Sequence, residues 1–346
     1  MSRRDLPLPP HYDSGRLGEV WRPQTEALAE QADGWRERHD LKPGAEASPR
    51  VALLLVDLQN SFCTPGFELF VTGRSGRGAV DDNRRLCEFL YRNLGVVSHI
   101  SATMDTHQPY QIFHPCFWID EQGEHPAPFT LITADDVAAE RWTVDPQAST
   151  ALGLELDYLE RHAHHYTRSL QEGGKYDLTI WPYHVLLGSP GHALASSVQE
   201  AVFFHSLARQ VQPDFYVKGD NPLTEHYSVL GPEVDTGPDG EVIDGRAERF
   251  VRRLLSFDAV IVAGQAKSHC LAWTIGDLVE EVEARDGRLA ERIYLLEDCT
   301  SPVVVPGAFD YTEEADAAFR RFEQAGMKVV RSTTPIDEWP GLVLRS

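Results

Sequence analysis

Residues 259–276, AVIVAGQAKSHCLAWTIG, run from an apolar strand through a glycine-containing turn into a helix that Cys270 opens. At a helix N-terminus, free N–H groups and a partial positive charge lower a thiol's pKa and can hold a developing oxyanion. A cysteine standing alone is more often buried and inert, so the reading rests on its company. Asp57 ends the apolar run VALLLV (51–56), where partial burial can raise a carboxyl toward the pKa of a useful base. By itself it would as readily cap a turn. Lys218, in the VKGD that closes another strand, would alone be a surface lysine. Beside a carboxylate and a thiol in a cleft, it tunes both and supports charge on a reacting carbonyl. Cys270, Asp57 and Lys218 together supply the nucleophile, base and cation of an acyl transfer.

A second group lies in ATMDTHQPYQIFHP, where Asp105 and His107 stand two apart just past a strand, so both side chains can point to one side. An Asp-x-His pair suits a divalent metal once a third ligand is found. His184, in WPYHVLLGSPGH, is the first candidate, with His114 and His125 behind it. One carboxylate and two imidazoles leave positions open for water and substrate; zinc fits, with iron or manganese as alternatives. The plainer alternative is a capping Asp105 and surface histidines. The run RHAHHY (161–166) reads as a solvated helix face.

These residues need a scaffold that brings distant segments together. Strand-like runs occupy 51–56, 99–105, 214–220, 258–264 and 292–298, and a last one begins at Met327. Helical patterns lie at 81–93, 196–208, 247–255, 270–284 and 312–325. Such alternation predicts an α/β three-layer sandwich, a central parallel sheet of about six strands joined by right-handed crossovers. Asp57, Asp105, Lys218 and the 264–270 turn all fall at carboxyl ends of strands, where open sheets of this kind bind ligands. Residues 1–49 form an N-terminal extension with one helical stretch at 23–39, expected to pack on the core or on a neighbouring subunit. The domain spans 50–346. It carries an insertion at about 108–180, with helical pieces at 135–141 and 154–165, too long for a simple crossover and expected to form a lid or an oligomer contact.

The 346 residues hold 42% hydrophobic and 25% charged side chains, enough for one large decorated core. With 32 Lys and Arg against 53 Asp and Glu, the formal charge is −21, which repels nucleic acid and anionic membrane and favours a neutral or cationic small-molecule substrate. The opening MSRRDLPLPPHYDSG lacks the apolar run of a secretory signal, and no stretch has the ~20 apolar residues of a membrane span. The five cysteines form no CxxC pair, which suggests free thiols in a cytoplasmic protein.

With these motifs in view, the chain resembles the nicotinamidase branch of the isochorismatase-like cysteine hydrolases over roughly residues 50–335. The family's D-x-Q-N-D-F-C stretch stands as Asp57-Leu58-Gln59-Asn60-Ser61-Phe62-Cys63, with Ser61 replacing an acid. Its Lys-Gly is Lys218-Gly219, with Tyr227-Ser228 downstream. Its G-x-A-T-D-x-C turn is Gly264-Gln265-Ala266-Lys267-Ser268-His269-Cys270, where Lys267 and Ser268 depart from Thr-Asp. Its D-x-H and W-P-x-H are Asp105, His107 and Trp181-Pro182-Tyr183-His184. The family's further histidine is displaced: simple counting puts Gln111 there, and His114 arrives late.

The resemblance implies a cis peptide between Gln265 and Ala266 and an oxyanion hole from the N–H groups of Ala266 and Cys270. It implies a planar ring held between Phe62 and Trp181, with Tyr227 as a further substrate contact, and a metal that positions the ring nitrogen or activates water. The expected activity is hydrolysis of a nicotinamide-like carboxamide through a thioester, in a homo-oligomer. Two alternatives remain: a metal-independent ureido or carbamoyl amidohydrolase, and a non-catalytic small-molecule binding module. The family's vinyl-ether chemistry is disfavoured, because those relatives use no nucleophilic cysteine.

Overall fold

The stretch VALLLV has no polar position to give to solvent, so it forms a strand buried on both faces. In the computed structural model, which describes residues 5–344, Val51–Val56 (β1) lies inside a six-stranded sheet. Its side chains alternate between two cores: Ala52, Leu54 and Val56 face one, Val51, Leu53 and Leu55 the other. A one-residue slip would exchange the two sets, so the register is firmly specified.

The other strands are Val97–Asp105 (β2), Asp214–Lys218 (β3), Ala259–Gly264 (β4), Ile293–Leu296 (β5) and Lys328–Val330 (β6). All pairings are parallel, in the order β6-β5-β4-β1-β2-β3. The expected six-stranded parallel sheet with flanking helices is therefore what the chain forms. The chain leaves β1 toward one edge and returns at β4 to build the other. The gap between the ends of β1 and β4 is thus the topological switch point, where such sheets hold their ligands.

Helices Thr25–His39, Gly78–Arg92 and Ser196–Ala208 cover one face; Glu248–Leu254, Cys270–Arg285 and Thr312–Gln324 cover the other. The first buries Leu28, Ala32 and Trp35, one stripe of a 3.6-residue period, and packs on Ser196–Ala208, where Trp35 meets Phe204 edge-on. So the extension lies against the core. Its first four residues, with Arg3 and Arg4, and the last two of the chain fall outside the described residues.

The 108–180 insertion is built rather than loose. Trp118–Ile119 pairs with Thr143–Val144, Leu131–Ile132 pairs with Leu178–Thr179, and helices span Pro146–Leu152 and Leu156–Glu172. Here the sequence reading needs correction. The RHAHHY run is not a solvated face: His162 and Tyr166 are fully buried, and only Arg161 and His164 are exposed. Leu159, His162, Ala163, Tyr166 and Leu170 form one inward stripe. His162 Nε2 bonds the carbonyl of Leu223 at 2.8 Å, and Tyr166 Oη accepts the N–H of Glu225 at 3.2 Å. A histidine with a carbonyl partner sits in a core as well as an apolar residue does, which period counting on hydrophobicity alone misses. Among the described residues no helix is long and apolar enough to cross a membrane.

Candidate active site

Asp57 follows β1 with φ 47°, in the left-handed region, and is wholly buried. Thr103, from the neighbouring β2, fixes it twice: its hydroxyl accepts the Asp57 N–H at 3.0 Å and donates to Oδ1. Oδ2 has Lys218 Nζ at 3.0 Å, and the carboxylate also interacts with the Cys270 thiol. Burial pushes the Asp57 carboxyl up, against the pull of Lys218.

Lys218 ends β3, the edge strand, yet its ammonium is buried. It touches Asp57, Asp105 Oδ1 at 2.8 Å, the carbonyl of His226 at 2.8 Å and Cys270 Sγ at 3.5 Å. Burial alone would lower its pKa, but Asp105, Asp57 and Cys270 hold it well above the ordinary lysine value. Cys270 is the first residue of its helix, and burial pushes its thiol up while Lys218 draws it down. The Cys270 sulfur and the carboxylate oxygens of Asp57 and Asp105 lie within 4.8 Å of one another.

Two glycines make this convergence possible. A Cβ on Gly264 would lie 2.1 Å from the Val56 carbonyl, and one on Gly219 2.7 Å from Asp105 Oδ1; both have positive φ. The Gln265–Ala266 peptide is cis. Among the described residues, the N–H groups of Ala266 and Cys270 donate to no backbone carbonyl, which leaves them available at the cavity wall.

Beside this group sit the expected metal ligands. His107 Nδ1 bonds the Gly219 carbonyl at 2.9 Å, and its Nε2 lies 3.0 Å from Asp105 Oδ2. His184 Nδ1 bonds the Pro182 carbonyl at 2.8 Å, with Nε2 4.0 Å from the same oxygen. His114 repeats the pattern: Nδ1 bonds the Pro109 carbonyl at 3.0 Å, and its buried Nε2 has no partner. Three imidazoles, each pinned through Nδ1 to a carbonyl, present Nε2 lone pairs in ring contact, with centroids 4.7–6.0 Å apart. That is the outer-shell arrangement of metal-binding histidines. Gln111 is no ligand: it is buried and spends its amide on the carbonyls of Gly219 and Asn221. His125 bonds the Trp118 carbonyl and lies outside the group.

A cavity of ≈ 270 Å³ opens on Cys270, and Phe62, Trp181 and Tyr227 all line it. Phe62 meets His184 edge-on at 5.7 Å, and Trp181 meets His269 at 5.7 Å.

No protein-family model matches the sequence, and no curated protein is similar to it. Solved structures do match. The yeast nicotinamidase bound to the inhibitor nicotinaldehyde is 15% identical, covers 81% of this chain and 99% of its own, and superposes with a TM-score of 0.50. The Acinetobacter baumanii nicotinamidase/pyrazinamidase is 19% identical over 82% of this chain and 97% of its own, with a TM-score of 0.47. The chain has the isochorismatase-like hydrolase fold.

Within this isochorismatase-like fold, the positions that depart from the family motif have found other partners. Ser61 donates to Glu68 at 2.8 Å, so a carboxylate reaches the motif from seven residues away. Lys267 pairs with Asp316 at 2.6 Å and lies over Phe319, tying the turn to the helix behind it. Ser268 Oγ accepts the N–H of Val303 at 3.0 Å. Sequence reasoning missed Gln59, whose side chain brackets Asp105 by accepting its N–H at 2.8 Å and donating to its carbonyl at 2.7 Å. It also missed Glu225, a fully buried acid on the cavity wall that accepts the indole N–H of Trp181 at 2.8 Å. Burial and nearby Glu233 hold Glu225 well above the carboxylate range, while Glu233 is paired with Lys175 of the insertion at 3.1 Å. Gln59 stands inside a quoted motif and was legible; nothing local marks Glu225.

His269, on the cavity wall, and His205, in the opposite core, are both held neutral by burial, with pKa values near 3. Their folded-state values lie below the unfolded one. The stability this confers is complete above pH 6.5 and is lost as pH falls from there toward 3. Denaturant titrations should show stability dropping between pH 6.5 and 4 by about 1.4 kcal/mol per pH unit for each histidine. His205→Gln should remove one such contribution; an unchanged slope would show that His205 is not buried neutral.

Proposed function

We propose that the protein hydrolyses a small carboxamide, nicotinamide-like in having a planar ring, to the acid and ammonia through a thioester on Cys270. The observation that carries this reading is the Lys218 ammonium, buried between Asp57 and Asp105 and 3.5 Å from the sulfur of Cys270, which itself lines the cavity. Asp57, paired with Lys218 and in contact with the thiol, takes the thiol proton, and the thiolate attacks the carbonyl. The N–H groups of Ala266 and Cys270 receive the oxyanion, and Lys218 offsets the charge. Asp57 then protonates the departing ammonia, and water enters to release the acid as Asp57 takes its proton. Phe62 and Trp181 orient the ring by its faces, and the likeness in fold to the yeast nicotinamidase supports an amide substrate.

Asp105, His107 and His184 would hold a divalent ion, and His114, with its buried and unpartnered Nε2 in ring contact with both histidines, is the candidate for a fourth donor; zinc suits the set, and iron or manganese would also fit. Such an ion supplies Lewis-acid chemistry and a fixed positive charge beside the substrate.

Ammonia release from nicotinamide and pyrazinamide tests the reading. Chelation should lower turnover at least tenfold while the far-ultraviolet circular dichroism stays unchanged, and adding back one divalent ion should restore it. Full activity in protein verified to be metal-free would remove the metal from the reading.

A further inference from the structure

Phe62 and Trp181 are not the cavity's only apolar walls. Phe70, Val71 and Phe129, together with Val303, Val304 and Val305, line the same cavity. Most of these are only partly buried, an apolar rim on a chain of formal charge −21. The hairpin that carries Val304 is fixed in place: Thr72 Oγ1 donates to the Val304 carbonyl at 3.0 Å, and Arg74 pairs with Asp310 at 2.7 Å. The polar side chains of this arm are already engaged, Thr72 by that bond and Glu68 by Ser61. Among the described residues, no Lys or Arg lines the cavity; its titratable wall groups are histidines, Tyr227, Cys270 and the acids Glu68, Asp105 and Glu225. An anionic substituent against the Phe70–Val304 side chains would be desolvated with no Lys or Arg among the described lining residues to pair with it. At ≈ 270 Å³ the space is close to the lower end, about 300 Å³, of pockets that bury drug-sized ligands, which leaves room beyond a single ring carboxamide.

Building on the hydrolase reading, we infer that the substrate is an uncharged carboxamide whose acyl side carries an apolar extension packed on the Phe70–Val304 side chains. A carboxylate carried on that extension is disfavoured by the same apolar residues. Each methylene transferred from water to this arm strengthens binding about fourfold.

The test compares benzamide, 4-methylbenzamide, 4-propylbenzamide and the charged 4-carbamoylbenzoate by ammonia release from the intact protein. The propyl compound should exceed benzamide at least tenfold in kcat/KM, and the carboxylate should fall at least tenfold below it. Val304→Lys, checked for folding by its thermal melt, should cut the alkyl gain and improve the ratio of carboxylate to propyl substrate. A flat series, or a preference for the carboxylate, overturns the inference. If no amide is turned over, the hydrolase reading fails, and the arm is then judged by calorimetric titration of the same amides into Cys270→Ala: affinity rising with chain length sustains it, and equal affinities sink it.

Discussion

Replacing Cys270 by alanine should abolish amide hydrolysis, by roughly 10⁴- to 10⁶-fold, while the protein folds and binds the amide as before. The magnitude follows from loss of the only group placed to form a covalent bond: once a nucleophile acting in a unit with its base is gone, positioning and oxyanion contacts sustain only a residual rate. The fold should survive, because the truncation removes one sulfur at the cavity wall and breaks no backbone contact; Cys270 is 8% exposed, and its neighbours Leu271 and Ile275 hold the helix to the core. Lys218 keeps both carboxylate partners in the variant. Acid-quenched native protein should carry an acyl adduct detectable by mass, and the variant none. A variant within tenfold of native activity would exclude the thioester, and an inert native thiol with no adduct would favour a binding module.

The scaffold was legible because its signals are local. Six apolar residues in a row at 51–56, bounded by turn signals, fit a strand covered on both faces, and β2 and β3 close on Asp105 and Lys218, which the rim then uses. The order of strands in the sheet is not local. Yet once β1 and β4 are neighbours, the placement of Asp57 and the 264–270 turn at one crevice follows from the parallel crossovers. Lys218 shows where such reasoning strains. A lysine ending an edge strand would be expected in solvent, but with Phe215 and Val217 exposed the period of two turns Lys218 inward, and Gly219 lets the chain pass close by Asp105.

Counting along the sequence puts Gln111 where the motif expects a ligand and leaves His114 arriving late. The segment from Gln108 to His114 makes an extra bend, held by the Gln111 bonds to Gly219 and Asn221, and this carries His114 back toward His107 and His184. Glu225 was invisible for a different reason. Its role depends on Trp181 from the end of the insertion, Tyr166 from its helix and, through Glu233, Lys175 beyond that helix. The insertion therefore buttresses the segment that follows Lys218-Gly219, a relation between parts more than forty residues apart that no periodicity encodes.

Lys218→Met should be the most damaging single change to stability in the site, costing about 3–5 kcal/mol at pH 7.5. One ammonium there serves two buried carboxylates and the His226 carbonyl. Methionine fills a similar volume but leaves the carboxylates without a cation and the carbonyl without that donor. The loss should depend on pH in a stated direction. Asp57 is already raised by burial, and without Lys218 its folded-state value rises further above the unfolded one. Folding then favours the protonated acid, so the penalty is small near the unfolded carboxyl pKa of about 4 and grows as pH rises. Urea titrations at pH 5 and 7.5 should therefore show the larger deficit at 7.5. Adding Asp57→Asn to Lys218→Met removes one of the stranded charges and should recover a substantial part of that deficit, and turnover should stay at least 10³-fold below native in both variants. If the single variant were as stable as native at both pH values, the ammonium could not be neutralising two buried acids, and the electrostatic basis for assigning base and nucleophile to Asp57 and Cys270 would be gone.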